Sequence, residues 1–549
     1  MSIKSIIRAI LALVLLVAAL TSVQSIAGPR NLVLWAGGLL QIGQQIAGGA
    51  NNSCLIQSNN QLASSTCGPN HVGPATVRQI TSRVVLPGSI SGSNTQDGWR
   101  VWQMAYDPVS ALEVCFYNGY IPSGGVETGS GGTATYRVYV EYPHGTWTTL
   151  TWGGAGSGTI ANNSTGCTDL TSLGFTIPPY TRFRITGDVS IPSGHVVSSG
   201  WSNVCDRANG DEFLLGASGY GHGQDDTVLG ASTPNNAAQC YYPALVMGYT
   251  DKSVWGLVGD SIANGVNDMA SDPSGARGLY GRAMAVLGPH INYGVSGDQS
   301  GLYSVSANST NRTALLAQGG ATSILLQLGV NDIFSASKTA DQLVTTNNTI
   351  VSNLQAAIPN IHVYWVTITP STTSTDGFAT TANQTTSSVN ANNRRTQYND
   401  FLRGYAAAGW TSTCTLNSTT AVTGCTSLPV TTVAPGMNVT GTGIAASTTI
   451  SAVNLTAGTI TLSQNATLSQ SSTLTLLWPS MTSTFPTSAA GIVDVVRLLE
   501  GASYQSAGPV NNGGVWLAGY AGQTDGLHCN LSCDYLAQPP MTNMLSVLR

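Results

Sequence analysis

The run Val254-Trp255-Gly256-Leu257-Val258-Gly259-Asp260-Ser261-Ile262-Ala263-Asn264-Gly265 constrains the chain more than any other stretch. Its apolar half suits a buried strand, and it stops abruptly at a serine flanked by glycines. Leu257 and Val258 fit a sheet interior, and Gly259 permits close backbone approach. Asp260-Ser261 falls where an open α/β sheet places ligands, beyond the carboxyl end of a strand. A hydroxyl there has a nucleophile's address. Such a turn also occurs as plain structure, so the other segments must decide between the two.

Downstream of Gly265 the pattern alternates in period. Residues 277–287 form a short helical pattern, and 291–298 a strand end and turn. Residues 323–328 are an apolar strand that breaks at Gly329-Val330-Asn331-Asp332. Leu343, Ile350, Val351, Leu354 and Ile358 keep helical spacing, which predicts a helix over 341–358 closed by Pro359. A strand at 363–368 and a helix at 394–408, with Tyr398, Leu402 and Tyr405 on one side, continue the series. Alternating strands and helices specify a parallel sheet covered on both faces. Residues 411–479 interrupt it without a single Asp, Glu, Lys or Arg. Their Thr and Ser alternate with Val, Ile and Leu, as in Gly458-Thr459-Ile460-Thr461-Leu462-Ser463, which predicts a small inserted β-module rather than disordered low-complexity sequence. The α/β pattern resumes at 492–496, so the α/β domain is expected over 251–410 and 480–549.

Upstream, residues 1–27 have the form of a secretory signal: Lys4 and Arg8, an apolar run from Ala9 to Leu20, and Ser25-Ile26-Ala27 at the cleavage positions. An uncleaved anchor is the alternative, although the run is short for a bilayer and no stable span is expected after cleavage. Residues 28–80 form a Gly, Asn and Gln-rich lead-in. Over 81–250 short strands such as Tyr136-Arg137-Val138-Tyr139-Val140-Glu141-Tyr142 lie between Gly/Pro clusters, the pattern of a β-sandwich. Trp99, Trp102, Trp147, Trp152 and Trp201 are either a sugar-stacking face on that sandwich or simply its core. His222 with Asp225 and Asp226 fits a solvated loop better than a calcium site.

Charged residues are only 8% of the chain, so no basic stripe exists to displace counterions from nucleic acid. Removing 1–27 leaves 18 basic against 25 acidic residues, a mildly acidic balance of −7. Ten cysteines behind a secretory signal imply disulfides. Nearest-neighbour pairing would join Cys54 with Cys67, Cys115 with Cys167, Cys205 with Cys240, Cys414 with Cys425, and Cys529 with Cys533, though sequence does not fix connectivity. Metal ligation at His528, Cys529 and Cys533 is the rival reading, but a second Cys/His pair nearby is lacking.

The last strand end carries Thr524-Asp525-Gly526-Leu527-His528. An Asp and a His three residues apart can aim at one centre, the carboxylate holding the imidazole in its working tautomer. With the Ser261 hydroxyl they complete the ingredients of nucleophilic acyl transfer. At this point the sequence resembles the SGNH (GDSL-like) hydrolase family. Gly259-Asp260-Ser261-Ile262-Ala263-Asn264-Gly265 looks like that family's first block and Asn292-Tyr293-Gly294-Val295-Ser296-Gly297 its second. Gly329-Val330-Asn331-Asp332 looks like the third and Asp525-Gly526-Leu527-His528 the fifth.

The resemblance implies a flavodoxin-like α/β sandwich with a parallel sheet, here joined to an N-terminal jelly-roll-like β-sandwich and the inserted β-module. It implies Ser261 as nucleophile, His528 as base and Asp525 as its orienting acid. The oxyanion hole would come from Ser261, Gly294 and Asn331, with no cofactor. Asp260 and Asp332 are left to loop scaffolding. Cys529 departs from the proline that commonly follows the histidine, and a bond to Cys533 could fix the turn instead. The expected activity is that of a secreted or periplasmic serine esterase acting on O-acyl, in particular O-acetyl, groups of a polysaccharide. Lipase-like or thioesterase activity, or a non-catalytic adhesion protein on a hydrolase scaffold, are the alternatives. Oligomeric state is not legible.

Overall fold

A computed structural model describes residues 53–58, 61–66, 71–90, 94–195, 197–199, 211–215, 241–268, 276–403, 410–426, 433, 435–454, 457–479, 481, 483–484, 489–500, 515–521 and 525–548. The expected signal segment, Trp201, the His222, Asp225 and Asp226 loop, and Cys67, Cys205 and Cys240 lie outside them. Residues 1–69 and 70–549 are two compact units. In the first, Ser53–Ser58 and Gln61–Thr66 form an antiparallel hairpin with Ser53 opposite Thr66.

The second unit begins with two antiparallel sheets. One runs in the order Gly158–Ile160, Ala134–Glu141, Arg182–Ser190, Gln96–Met104, Glu212–Leu215. The other runs Ser164–Cys167, Val109–Tyr120, Leu245–Lys252, His71–Gln79. The expected lead-in over 28–80 is therefore too long, because His71–Gln79 is already an edge strand of the second sheet. Pro74, which has no N–H for a ladder, is tolerated at an edge and hid the strand from its pattern. Cys115 and Cys167 face each other on paired strands and are bonded, as are Cys414 with Cys425 and Cys529 with Cys533.

Trp99 is fully buried, 4.8 Å from the Tyr241 ring and 5.4 Å from Phe116, so this tryptophan is core and no sugar platform. Side chains alternate faces along a strand, so Trp102, three residues on, emerges on the opposite face. There it is half-buried, with the Arg184 guanidinium 4.1 Å above its ring. Trp147 and Trp152 are also half-buried.

A five-stranded parallel sheet comes next along the chain. Its strands are β1 (Val254–Gly259), β2 (His290–Asn292), β3 (Ala321–Gln327), β4 (His362–Val366) and β5 (Gly491–Val493), in the spatial order β2-β1-β3-β4-β5. Connecting helices include α1 (Ser261–Asn264), α2 (Gly278–Leu287), α3 (Thr310–Gln318), α4 (Val330–Phe334), α5 (Ala340–Ala357) and α6 (Val389–Leu402). Every residue of β1 is buried, which is why the run lacks polar alternation. In this strand order the direction of winding reverses between β1 and β3, and the crevice beyond their carboxyl ends is the place for a ligand.

Between α6 and β5 the chain forms a six-stranded antiparallel sheet that starts at Trp410–Leu416 and ends at Ser471–Leu477. It has its own core of Cys414, Val422, Ile460, Leu474, Leu476 and Trp478.

Candidate active site

Ser261 opens α1 directly after β1. Asp260 is the N-cap, its Oδ1 accepting the Ile262 N–H at 2.9 Å, and Gly265 closes the helix in the left-handed region at φ 80°. A Cβ on Gly259 would meet the Ala263 Cβ at 2.4 Å, so only glycine lets strand and helix meet this sharply. Ser261 is 9% exposed.

His528 arrives from the far end of the chain. Its Nε2 lies 2.7 Å from Ser261 Oγ, and its Nδ1 2.7 Å from Asp525 Oδ2. The other Asp525 oxygen accepts the backbone N–H groups of Leu527 and His528 at 2.9 and 3.1 Å, so one carboxylate both folds the turn and aims the ring. Burial alone pushes the Asp525 carboxyl up, but the bonds from the His528 ring and the two backbone N–H groups outweigh it and hold it at about 2. The Asn267 amide adds a contact to Oδ2 at 3.4 Å. The turn runs into the Leu531–Leu536 helix, capped by Asn530 and crossed by the Cys529–Cys533 bond.

The loop after β2 departs from expectation. Gly294 is buried and gives its only N–H to Asn292 Oδ1 at 2.9 Å, so it cannot donate to an oxyanion. Its glycine identity has a packing cause: a Cβ there would meet the Asn264 nitrogen on α1 at 2.5 Å. Three residues on, Gly297 is half-exposed at φ 77°, and no acceptor among the described residues takes its N–H. The block contains two glycines, and the resemblance points to Gly294, whose N–H is already taken. Proximity to the turn at Asp298, whose N–H bonds the Val295 carbonyl at 3.0 Å, was the available signal.

Asn331, on α4 beyond β3, donates from Nδ2 to the Asp298 carbonyl at 3.0 Å, leaving one hydrogen of the amide. This bond ties the β2 loop to the β3 end. Asp332 scaffolds the same loop by accepting the N–H groups of Ser300 and Gly301 at 2.8 and 3.0 Å. As the first residue of α1, Ser261 has a backbone N–H without an intrahelical acceptor.

Fold and site together define an α/β protein with a hydrogen-bonded Ser-His-Asp relay at a topological switch point. Residues 257–421 match the GDSL-like Lipase/Acylhydrolase family, and the chain carries a GDSL-like (SGNH) hydrolase domain there, of a family whose members are typically serine ester hydrolases. No curated protein matches the chain. Among solved structures, TesA is similar at 21% identity with a TM-score of 0.17, over 21% of this chain and 61% of that one. An active-site mutant of a family two carbohydrate esterase from Clostridium thermocellum, solved with cellohexaose, is similar at 10% identity and a TM-score of 0.19, over 54% and 78% of the respective chains. Est24, a carbohydrate acetylesterase from Sinorhizobium meliloti, is similar at 20% identity and a TM-score of 0.19, over 23% and 68%. The chain thus spans about three-fifths of TesA's length.

Proposed function

We propose that the protein is a secreted serine esterase that removes O-acyl, in particular O-acetyl, groups from a polysaccharide through an acyl-enzyme on Ser261. The observation that carries this reading is the unbroken relay of two 2.7 Å contacts from Ser261 Oγ through His528 to Asp525. Ser261 Oγ attacks the ester carbonyl as His528 Nε2 takes its proton, and the charged Asp525 stabilises the imidazolium. The tetrahedral oxyanion is met by the N–H groups of Ser261 and Gly297 and the free hydrogen of the Asn331 amide. His528 returns the proton to the departing alcohol oxygen. Water then attacks the acyl-enzyme with His528 again as base, releasing the carboxylic acid and restoring the Ser261 hydroxyl.

Secretion is supported by the signal-like 1–27 and by three disulfides among the described residues. Among the described residues no helix is long and apolar enough to cross a membrane. A chain with 8% charged residues suits a neutral sugar polymer better than a polyanion. The test is hydrolysis of p-nitrophenyl acetate by wild type and Ser261→Ala. Loss of at least about 10³-fold in kcat is expected for the variant, and equal rates would end the reading and favour a non-catalytic scaffold. Faster acetate release from acetylated xylan than cleavage of a long-chain ester separates the polysaccharide substrate from a lipase.

A further inference from the structure

The β-sandwich reaches the oxyanion loop through one loop of its own, residues 122–127, which leaves the end of Val109–Tyr120. Gly124 donates its N–H to the Ser296 carbonyl at 3.2 Å, and Glu127 donates its N–H to the Asn308 carbonyl at 3.3 Å. The Glu127 carboxylate accepts two first-turn N–H groups of α3, from Asn311 and Arg312, each at 2.8 Å. Between the two domains lies Arg312, fully buried. Its guanidinium pairs with Asp298 Oδ2 at 2.5 Å, donates to the carbonyls of Gly125 and, at 3.1 Å, Asn308, stands 3.6 Å from Glu127, and covers the Tyr303 ring at 4.4 Å.

Asp298 directly follows Gly297, and its own carbonyl is the acceptor that orients Asn331. Two of the three proposed oxyanion donors therefore adjoin the residue that Arg312 grips. The fit is tight: a Cβ on Gly125 would fall 1.9 Å from Asp298 Oδ1, and one on Gly297 2.5 Å from Ser123 Oγ. Ser123 itself is exposed, so the sandwich loop stands at the open edge of the oxyanion loop.

We infer that the oxyanion hole is a two-domain structure, with Arg312 as the positioning residue that fixes the Gly297–Asp298 segment against the sandwich carbonyl of Gly125. Arg312 touches no reacting atom. It acts through Asp298 by denying the loop a second conformation, so its loss should be felt where the oxyanion forms and little in substrate binding. A guanidinium suits this task because its rigid planar fork holds a carboxylate and a carbonyl at a fixed spacing, which the single rotatable ammonium of a lysine does not impose. The inference rests on the esterase reading of the same site.

The experiment uses the full chain with wild type, Ser261→Ala, Arg312→Lys and Gly125→Ala on p-nitrophenyl acetate, with melting temperatures recorded. Misplacing or losing an oxyanion donor costs on the order of 10²-fold, so Arg312→Lys and Gly125→Ala should each lower kcat by about 10- to 100-fold with KM within about 2-fold. Gly125→Ala lies on a sandwich loop remote in sequence from the hydrolase motifs, and it decides alone if Arg312→Lys does not fold. A kcat within about 2-fold of wild type in the folded variants, with Ser261→Ala inactive, overturns the inference and leaves the esterase reading intact. A fall of kcat and rise of KM in equal measure also overturns it, because that is the mark of general loosening. Activity unaffected by Ser261→Ala ends the esterase reading itself.

Discussion

At the scale of single residues, the nucleophile rests on an uncomfortable neighbour. Asp260 is fully buried; Oδ1 caps α1, while Oδ2 has no partner among the described residues. Burial raises its carboxyl to about 7 against the pull of the Ile262 N–H and the charge on His528. The folded state thus holds a proton that the unfolded chain releases near its ordinary value of 3.8. The stability tied to that proton is complete below about 4 and is lost as pH rises to about 7. Asp260→Asn keeps the capping oxygen and cannot ionise. It should therefore unfold with wild type near pH 4 and be the more stable protein at pH 8, by up to about 4 kcal/mol for a shift of about three units. Urea unfolding of both proteins across this range is the measurement; a gap independent of pH would mean Asp260 is charged throughout. From sequence, Asp260 has only a scaffolding role in the turn, and the cap emerges with the short helix α1. The stranded oxygen was not legible, because it is defined by what surrounds it.

At the scale of elements, the turn bearing His528 is held by segments that no motif marks. The Gly526 carbonyl accepts the Thr372 N–H at 3.0 Å and the Trp516 indole N–H at 2.8 Å. Gly526 stands at φ 58°, where a Cβ would also fall 1.9 Å from the Thr372 carbonyl oxygen, so glycine is required twice over. Gln384 secures Trp516 in turn, accepting its N–H and donating to its carbonyl, both at 3.0 Å. Trp516→Phe keeps an aromatic in the buried site and removes one donor. A cost of about 0.5–1.5 kcal/mol in stability is expected for the lost hydrogen bond, because Thr372 still donates to the carbonyl, with kcat lowered by roughly 3- to 10-fold as His528 loses alignment. Melting temperature and kcat on a short ester read both, and an unchanged kcat would show that the disulfide and the Asp525 bonds suffice to hold the turn. Helix α6 shows a different failure of legibility. It begins at Val389, capped by Ser388, five residues before the apolar pattern predicts. Its inner face is polar: Arg395 and Asn399 reach the backbone of Ile368 where β4 ends. A helix that satisfies a strand end with a guanidinium and an amide thins its apolar signature, so only the later Tyr398 and Leu402 marked it.

At the scale of the molecule, legibility follows the range of the interaction. The parallel sheet, the sandwich and the insertion were readable because strand and helix periods are local, and Ser261, Asp525 and His528 because each sits in a short motif. The Arg312 clamp was not readable, since it depends on a sandwich loop some 170 residues upstream meeting the β2 loop. The insertion is the opposite case, self-contained by the alternation of its own strands. Its core is a cluster separate from the one that sandwich and hydrolase share. It touches α6 through the Trp478 indole, which donates to Asp400 at 2.8 Å, and through the Pro479 carbonyl, which accepts from Gln397 at 2.9 Å. Trp410 and Leu476 are paired across its first and last strands. Paired residues lie only about 5 Å apart, so a short Gly/Ser linker can replace 411–475 without pulling on α6 or β5. The shortened protein, retaining Trp478, should fold and hydrolyse p-nitrophenyl acetate with kcat within about 2-fold of the full chain. If it folds with the same melting behaviour but loses activity by 10-fold or more, the insertion contributes to the catalytic cleft. If activity on the small ester survives while activity on acetylated polymer falls, the insertion is where the polymer is held.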